Sequence, residues 1–120
     1  MRVIICGVRD IGPAQFTDYE LVCQAVQESG FAITEVVSGG ARGVDLLGER
    51  WAAERDVPVH RIEADWQAFG KSAGVIRNGL LCAYAEAVVA IWDEKSRGTK
   101  DCLERALRKG LPIHLQLVNS

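Results

Sequence analysis

The fold class is best indicated by one stretch of the sequence, Val36-Val37-Ser38-Gly39-Gly40-Ala41-Arg42-Gly43-Val44-Asp45. Apolar residues lead into three glycines within five positions, and a helix-like segment follows. This pattern predicts a buried strand, a tight glycine turn and the first turn of a helix. Glycine has no Cβ, so a ligand can approach such a turn closely, and the helix directs free N–H groups toward it. The turn is therefore either an anion site or a bend with a purely architectural role.

The same alternation of strand and helix runs through the whole chain. We predict strands at 2–8, 33–38, 57–62, 87–92 and 113–118, a loop at 63–72, a helix that opens at Thr17 and stops at Gly30, and helices at about 44–55, 73–85 and 100–109. Alternating elements are typical of a parallel sheet with helices on both faces. We expect one Rossmann-like domain over residues 1–120, an α/β three-layer sandwich. Its mainly parallel five-stranded sheet should have the order 3-2-1-4-5.

Composition and charge restrict the classes of partner. The 120 residues are 48% hydrophobic and carry a net charge of −2, which gives no general attraction to nucleic acid or to a membrane. No apolar run approaches the length of a membrane span, and the N-terminus leads straight into a strand, so a cytoplasmic location is expected. The four cysteines have no CxxC spacing, and His60 and His114 lie far apart. We therefore expect no metal site and no cofactor.

Polar side chains are concentrated in the loops that follow the strands. Right-handed crossovers bring all of these loops to one edge of the sheet, where ligands bind in folds of this kind. The candidate ligand-binding residues are Gly7, Arg9, Ser38, Gly39, Gly40, Ala41, Gly43, Asp45, Asp65, Trp66, Lys71, Gly74, Arg77, Asn78, Ser96, Arg97, Gly98 and Thr99. Arginines at this edge could form forked hydrogen bonds to phosphate or carboxylate groups.

Several of these residues have a structural interpretation beside the functional one. Asp45 could accept hydrogen bonds from a ribose, or it could simply stabilise the N-terminus of its helix. Trp66 could stack on a base or anchor its loop. Thr99 is expected to cap the last helix. Asp93 could bind a sugar or hold Arg77.

The common nucleotide and hydrolase motifs are missing. The dinucleotide pattern GxGxxG is absent after the first strand, and Gly70-Lys71-Ser72 lacks the first glycine of a P-loop. No nucleophile elbow is present either. The glycine-rich edge is therefore not expected to belong to a P-loop ATPase or to a serine hydrolase.

Three segments in order resemble one family. They are Ser38-Gly39-Gly40-Ala41-Arg42-Gly43-Val44-Asp45, then Ala64-Asp65-Trp66 with Gly70-Lys71-Ser72-Ala73-Gly74-Val75-Ile76-Arg77-Asn78, then Ser96-Arg97-Gly98-Thr99-Lys100-Asp101. The pattern resembles YspA-type members of the SLOG superfamily, a Rossmann-like group that includes the DNA-processing protein DprA and the LOG phosphoribohydrolases. Many such proteins occur in bacteria and phages. The resemblance implies a nucleotide-derived ligand, with ADP-ribose-like compounds among the candidates.

The resemblance to LOG enzymes also suggests a hydrolase. Those enzymes cleave the N-glycosidic bond of a nucleotide with an arginine and a PGGxGTxEE motif. Gly98 and Thr99 match its Gly-Thr, Asp101 stands in for the first glutamate, and Cys102 replaces the second. The catalytic candidates carried over are Arg77, Asp101 and Asp93, and a carboxylate near C1′ would stabilise an oxocarbenium-like centre.

Three functions are therefore weighed. Binding of a nucleotide-derived ligand is the leading interpretation, and LOG-like hydrolysis is the second. A DprA-like single-stranded DNA binder is the third, and the mild acidity argues against it. A homodimer formed through helices is a further expectation.

Overall fold

The protein consists of a central sheet with helices on both sides. A computed structural model describes residues 1–9 and 18–118. The strands are β1 (Arg2–Gly7), β2 (Glu35–Ser38), β3 (Val59–Arg61), β4 (Ala87–Trp92) and β5 (Ile113–Leu117). The helices are α1 (Asp18–Ser29), α2 (Val44–Glu54), α3 (Trp66–Phe69), α4 (Ala73–Tyr84) and α5 (Arg97–Lys109), with a 3₁₀ turn at Gly70–Ser72. None of the helices within these ranges has the length and apolarity needed to cross a membrane.

The five strands are all parallel and lie in the order β3-β2-β1-β4-β5. Strand β1 is central, and Ile4 pairs with Val37 of β2 on one side and with Val88 of β4 on the other. The predicted fold class and strand order are thus confirmed. The strand order reverses beside β1, so the loops after β1 and β4 diverge and leave a crevice between them.

Alternate residues of β1 supply two separate cores. Val3 and Ile5 face α1 and α2, whereas Ile4 and Cys6 face α4 and α5. Val3, Ile4 and Ile5 are fully buried. A strand covered on both faces has this nearly continuous apolar character, which explains why β1 is recognisable in the sequence.

Strands β2 and β3 are each shorter than the predicted 33–38 and 57–62, and two helical segments differ more from the sequence predictions. The segment expected as a loop at 63–72 contains α3, because the Asp65 carboxylate accepts the Ala68 N–H at 3.0 Å and caps a short helical turn. The last helix begins at Arg97 and not near Lys100. Ser96 occupies its N-cap position, so the prediction that Thr99 caps the helix was wrong. The predicted cap at Thr17 lies outside the described residues.

Candidate functional site

A cavity of about 350 Å³ opens at the carboxyl ends of β1 and β4. Its polar lining comes from the loops after β1, β2 and β4, from the first turns of α2 and α5 and from the second turn of α4. The lining residues are Cys6, Gly7, Val8, Arg9, Ala41, Asp45, Arg77, Asn78, Leu81, Asp93, Ser96, Gly98, Thr99 and Cys102. We call this the first cavity.

The floor of the first cavity is apolar. It includes Cys6, Leu81 and Cys102, which are buried in the core between the sheet and α4 and α5. A hydrogen bond with the Cys6 thiol, together with burial, raises the pKa of Cys102 well above its usual range. Neutral thiols behave as small apolar groups, so this floor suits the carbon skeleton of a ligand.

The N-terminus of α5 faces the first cavity through Ser96, Gly98 and Thr99. No side chain caps it among the residues the structure describes, because the Ser96 hydroxyl lies 3.2 Å from the Thr99 hydroxyl and makes no bond to the helix N–H groups. The Ser96 carbonyl accepts both the Lys100 N–H at 3.1 Å and the Trp92 indole N–H at 3.0 Å. The positive end of a 13-residue helix therefore points into the cavity.

The carboxylate of Asp93 holds the loop that leads into α5. It accepts the backbone N–H groups of Lys95 at 2.9 Å and Ser96 at 2.8 Å. Partial burial opposes ionisation, but these N–H groups and the nearby Lys95 charge outweigh it and lower the pKa of Asp93. Asp93 is thus an ionised hydrogen-bond acceptor in the cavity wall, and its described partners do not include Arg77.

The glycine turn after β2 satisfies much of its backbone polarity within the protein. The Gly40 N–H donates to the Ser38 hydroxyl at 3.0 Å, and the Ala41 N–H donates to the Asp45 carboxylate at 3.3 Å. The Ser38 hydroxyl in turn donates to Glu49 at 2.6 Å. These bonds brace the glycine turn and occupy its N–H groups. The uncapped first turn of α5 is therefore a better anion site than the glycine turn.

Gly43 is required where this turn meets the loop after β1. Its φ is +87°, and a Cβ there would lie 2.4 Å from the carbonyl oxygen of Arg9. The next N–H, that of Val44, donates to the Val8 carbonyl at 3.1 Å. The glycine therefore permits the contact that fixes Arg9 beside the first cavity.

Asp45 lies at the base of the first cavity and is only 6% exposed. Burial raises the pKa of its carboxyl to about 6, even though the Ala41 N–H and the Arg77 charge act in the opposite direction. Its carboxyl group thus braces the turn as a hydrogen-bond acceptor and changes its protonation state near pH 6.

Arg77 is held at the cavity mouth by two elements. Its Nη1 donates to the Gly39 carbonyl at 2.8 Å, and its Nε donates to the Asn78 side-chain oxygen at 3.1 Å. The buried Asn78 amide then donates to the Gly98 carbonyl at 3.1 Å and to Asp101 at 3.0 Å. Asn78 therefore couples the position of Arg77 to that of the α5 N-terminus.

Asp101 does not line the first cavity. Its carboxylate accepts bonds from Asn78 and from Arg105 Nε at 2.9 Å. Two of the three predicted catalytic residues, Arg77 and Asp93, do line the first cavity.

A second cavity of about 500 Å³ adjoins the first. Its lining consists of Arg9, Gly39, Gly40, Ala41, Arg42, Glu63, Ala64, Trp66 and Arg77. Three of these, Arg9, Ala41 and Arg77, also line the first cavity. The two arginines thus stand where the two cavities meet.

The structure brings most of the predicted residues to this edge but not all of them. Those that line neither cavity are Ser38, Gly43, Asp65, Lys71, Gly74, Arg97 and Asp101. The lining residues that sequence reasoning missed are Cys6, Val8, Leu81 and Cys102 in the first cavity and Arg42, Glu63 and Ala64 in the second. Helical spacing could have found two of them, because Leu81 lies four residues after Arg77 and Cys102 three residues after Thr99. Within residues 1–9 and 18–118 no cluster of His, Cys, Asp and Glu could hold a metal ion.

Comparison with known proteins identifies the family. The family model described as "YspA, cpYpsA-related SLOG family" matches residues 1–69, which include β1, the glycine turn and Trp66. The chain belongs to the YspA-related SLOG family. The Gene 61 protein of Mycobacterium phage D29 is 33% identical to it over 118 residues and is covered to 93%, as is this chain. No solved structure gives a significant match.

Proposed function

We propose that the protein binds a nucleotide or a nucleotide-derived ligand with a phosphate in the first cavity. One observation carries this proposal: the uncapped N-terminus of α5 and the guanidinium of Arg77 converge on the same cavity. Free N–H groups at a helix N-terminus attract anions, and a guanidinium can bind two phosphate oxygens at once. Membership of a SLOG family supports a nucleotide-related ligand.

The remaining walls of the first cavity fit a sugar. The ionised Asp93 can accept hydrogen bonds from ribose hydroxyls, and the hydroxyls of Ser96 and Thr99 can both donate and accept. The apolar floor suits the carbon face of the ring. A phosphate joined to a sugar would therefore use both kinds of wall at the same time.

A thermal-shift screen tests the proposal. Nucleoside mono-, di- and triphosphates, NAD, ADP-ribose and cyclic dinucleotides are added to the protein, to Arg77→Ala and to Arg50→Ala. Arg50 is the matched control, because it lies on α2 and pairs with Glu54 without lining either cavity. A ligand at about 100 times its Kd stabilises the folded state by roughly 2.7 kcal/mol. We expect at least one compound to raise the melting temperature of the wild type and of Arg50→Ala but not of Arg77→Ala; no shift with any compound contradicts the proposal.

The same mixtures distinguish binding from hydrolysis. The Asp101 carboxylate, which matches the first glutamate of the LOG motif, is occupied by Asn78 and Arg105. We therefore expect bound nucleotide to be recovered intact by chromatography. Release of free base would instead favour the N-glycosidic hydrolase, with Arg77 and Asp93 in the chemistry.

We also propose that the protein is cytoplasmic and forms a homodimer.

We further propose that the protein does not bind nucleic acid, since a DNA-binding groove requires a basic surface. Titration with single-stranded DNA tests this. Binding of DNA that weakens steeply with salt concentration would favour the DprA-like alternative.

A further inference from the structure

We infer that a groove between the C-terminal halves of α4 and α5 binds a small oxyanion that carries two or more phosphate or carboxylate groups. The groove has a volume of about 400 Å³ and shares no lining residue with the first or the second cavity. Occupancy of this site therefore does not depend on the nucleotide binding proposed above. We call it the basic groove, and its lining consists of Gly79, Cys82, Ala83, Arg105, Arg108 and Lys109.

The charge of the basic groove is positive and local. Three cations and no carboxylate line it, although the whole chain carries a net charge of −2. A hydrogen bond with Cys102, together with burial, raises the pKa of the Cys82 thiol, and the charges of Lys109 and Arg105 oppose that rise. Both cations thus act on the same point in the groove. Such a concentration of charge attracts a multivalent anion more strongly than a monovalent one.

Arg108 supplies a guanidinium that the fold does not use. It is exposed, and it has no hydrogen-bond or ion-pair partner within residues 1–9 and 18–118. It follows Arg105 by about one turn of α5, so both side chains lie on the groove side of that helix. All five N–H groups of Arg108 are therefore available to phosphate or carboxylate oxygens.

Arg105 is already held in position. Its Nε donates to the Asp101 carboxylate at 2.9 Å, which leaves its four other N–H groups without a partner among the described residues. Its guanidinium lies over Gly79, where an added Cβ would be 3.3 Å from Nη1. Glycine is unfavourable inside a helix, and here its missing side chain leaves room for the guanidinium. A side chain fixed in this way has less conformational freedom to lose when an anion binds.

Lys109 neutralises the end of α4 that borders the groove. Its Nζ donates to the Cys82 carbonyl at 2.5 Å and to the Ala83 carbonyl at 2.9 Å. The negative end of a helix would otherwise repel an anion. The third N–H of the ammonium is left for a ligand within the described part of the chain. Three side chains thus offer donors at once, more than one phosphate or carboxylate group can engage.

An NMR titration of the ¹⁵N-labelled full chain tests this site. The probes are inorganic pyrophosphate and citrate, with phosphate and acetate as their single-group counterparts, at a constant ionic strength of about 0.15 M to screen general attraction. We expect the backbone amides of residues 79–83 and 105–109 to shift in a saturable way with pyrophosphate or citrate. The preferred probe should bind at least about tenfold more tightly than its counterpart, because its second group reaches a second cation. The two probes distinguish a phosphate ligand from a carboxylate ligand.

Arg108→Ala is the decisive variant. It should weaken binding at these amides about tenfold or more, through loss of charge-assisted hydrogen bonds. Its urea unfolding should match that of the wild type, since Arg108 has no partner in the described structure. Arg50→Ala is the matched control, because it removes the same charge from α2 and does not line the groove. It should leave the affinity unchanged.

The site is overturned if neither probe gives a saturable shift at residues 79–83 and 105–109. It is also overturned if phosphate and acetate bind as tightly as pyrophosphate and citrate. Equal losses of affinity in Arg108→Ala and Arg50→Ala would indicate attraction by overall charge and would overturn it too. Shifts confined to Gly98 and Thr99 would exclude the basic groove but agree with the proposed function.

Discussion

The sequence predicts that Arg77 lies at the candidate site but does not predict its hydrogen-bond partners. Topology alone predicts that the loops after parallel strands meet at one edge, and Arg77, Asp93 and Asp45 do line one cavity there. The sequence could not predict which of them touch, because small rotations of a helix redirect its side chains. Arg77 therefore takes the Gly39 carbonyl as its partner, whereas Asp93 binds backbone N–H groups of its own loop.

The contact between Arg77 and Gly39 gives a first prediction. In Gly39→Ala the new Cβ would lie 2.6 Å from Arg77 Nη1, so the guanidinium has to move away from its position at the cavity mouth. Loss of one hydrogen bond to a charged group implies that nucleotide affinity falls roughly 10- to 100-fold. Calorimetric titration measures this. Urea unfolding should show some loss of stability as well, because the new Cβ would also lie 2.9 Å from the buried Asp45 carboxylate.

Gly79→Ala is the control for that experiment. Its new Cβ would meet only Arg105 Nη1 at 3.3 Å, and Gly79 lines neither of the two cavities. Equal affinities for the wild type and Gly39→Ala would show that Arg77 does not contribute to binding from its present position.

The buried carboxyl of Asp45 predicts a dependence of stability on pH. Its pKa is about 6 in the folded protein against an ordinary value of 3.8. Between these two pH values the carboxyl is therefore protonated in the folded state and ionised in the unfolded state. The stabilisation of the folded state by the protonated Asp45 is complete below pH 3.8 and is lost as the pH rises through 6. The free energy of unfolding of the wild type, relative to Asp45→Asn, should fall by about 2 kcal/mol from pH 4 to pH 7.

Urea unfolding of both proteins across this pH range checks the prediction. The asparagine variant retains an oxygen that can accept the Ala41 N–H, and all other titrating groups cancel in the difference. A difference that stays constant with pH, or that rises, would mean that Asp45 is not held in its protonated form.

At the scale of elements, the start of α5 is the main difference between sequence and structure. Gly98 is a poor helix former, so the sequence placed the first turn near Lys100. In the structure the helix begins at Arg97, and its first turn, with no side-chain cap, lies at the cavity. The short α3 was missed for another reason, since four residues are too few to show helical periodicity.

Gly98→Asp should separate the stability of α5 from its function. No atom lies within 4 Å of a Cβ built at Gly98, so the side chain fits without a clash. Replacing a helical glycine and adding a negative charge near the N-terminus should raise the free energy of unfolding by roughly 0.5–1 kcal/mol. The same carboxylate would repel a phosphate, so nucleotide affinity should fall at least about tenfold relative to Gly98→Ala.

Gly98→Ala isolates the charge, because it adds a side chain without a carboxylate. Thermal unfolding and calorimetric titration of the three proteins give both quantities. If the aspartate and alanine variants bind nucleotide equally well, the N-terminus of α5 is not where the phosphate lies.

For the whole molecule, the sequence predicted the architecture but not the cavities. The order of five parallel strands follows from alternating elements and the rules of connection, and the structure confirms it. The depth and division of the site depend on how α4 and α5 pack against the sheet. Helical spacing can place Leu81 near Arg77 and Cys102 near Thr99, but it does not reveal that both meet Cys6 in one floor.

The predicted homodimer belongs to the same scale. Helix α4 exposes Val75, Ile76 and Leu80, of which Leu80 is 53% exposed. Burial of such apolar side chains is a common driving force for self-association. We expect sedimentation velocity to show a dimer for the wild type and a monomer for Leu80→Glu, whereas Leu107→Glu, at an exposed site on α5, should remain dimeric. A monomeric wild type at all concentrations would rule the dimer out.

We propose that a nucleotide binds with its phosphate at the first turn of α5 beside Arg77. The most direct test is an NMR titration of ¹⁵N-labelled protein with nucleoside mono-, di- and triphosphates, NAD and ADP-ribose, following every backbone amide. We expect the amides of Gly98 and Thr99 and the side-chain signal of Arg77 to shift most, with α1 unaffected. Shifts confined to α1 or to the outer faces of the helices, or no shifts with any compound, would contradict it.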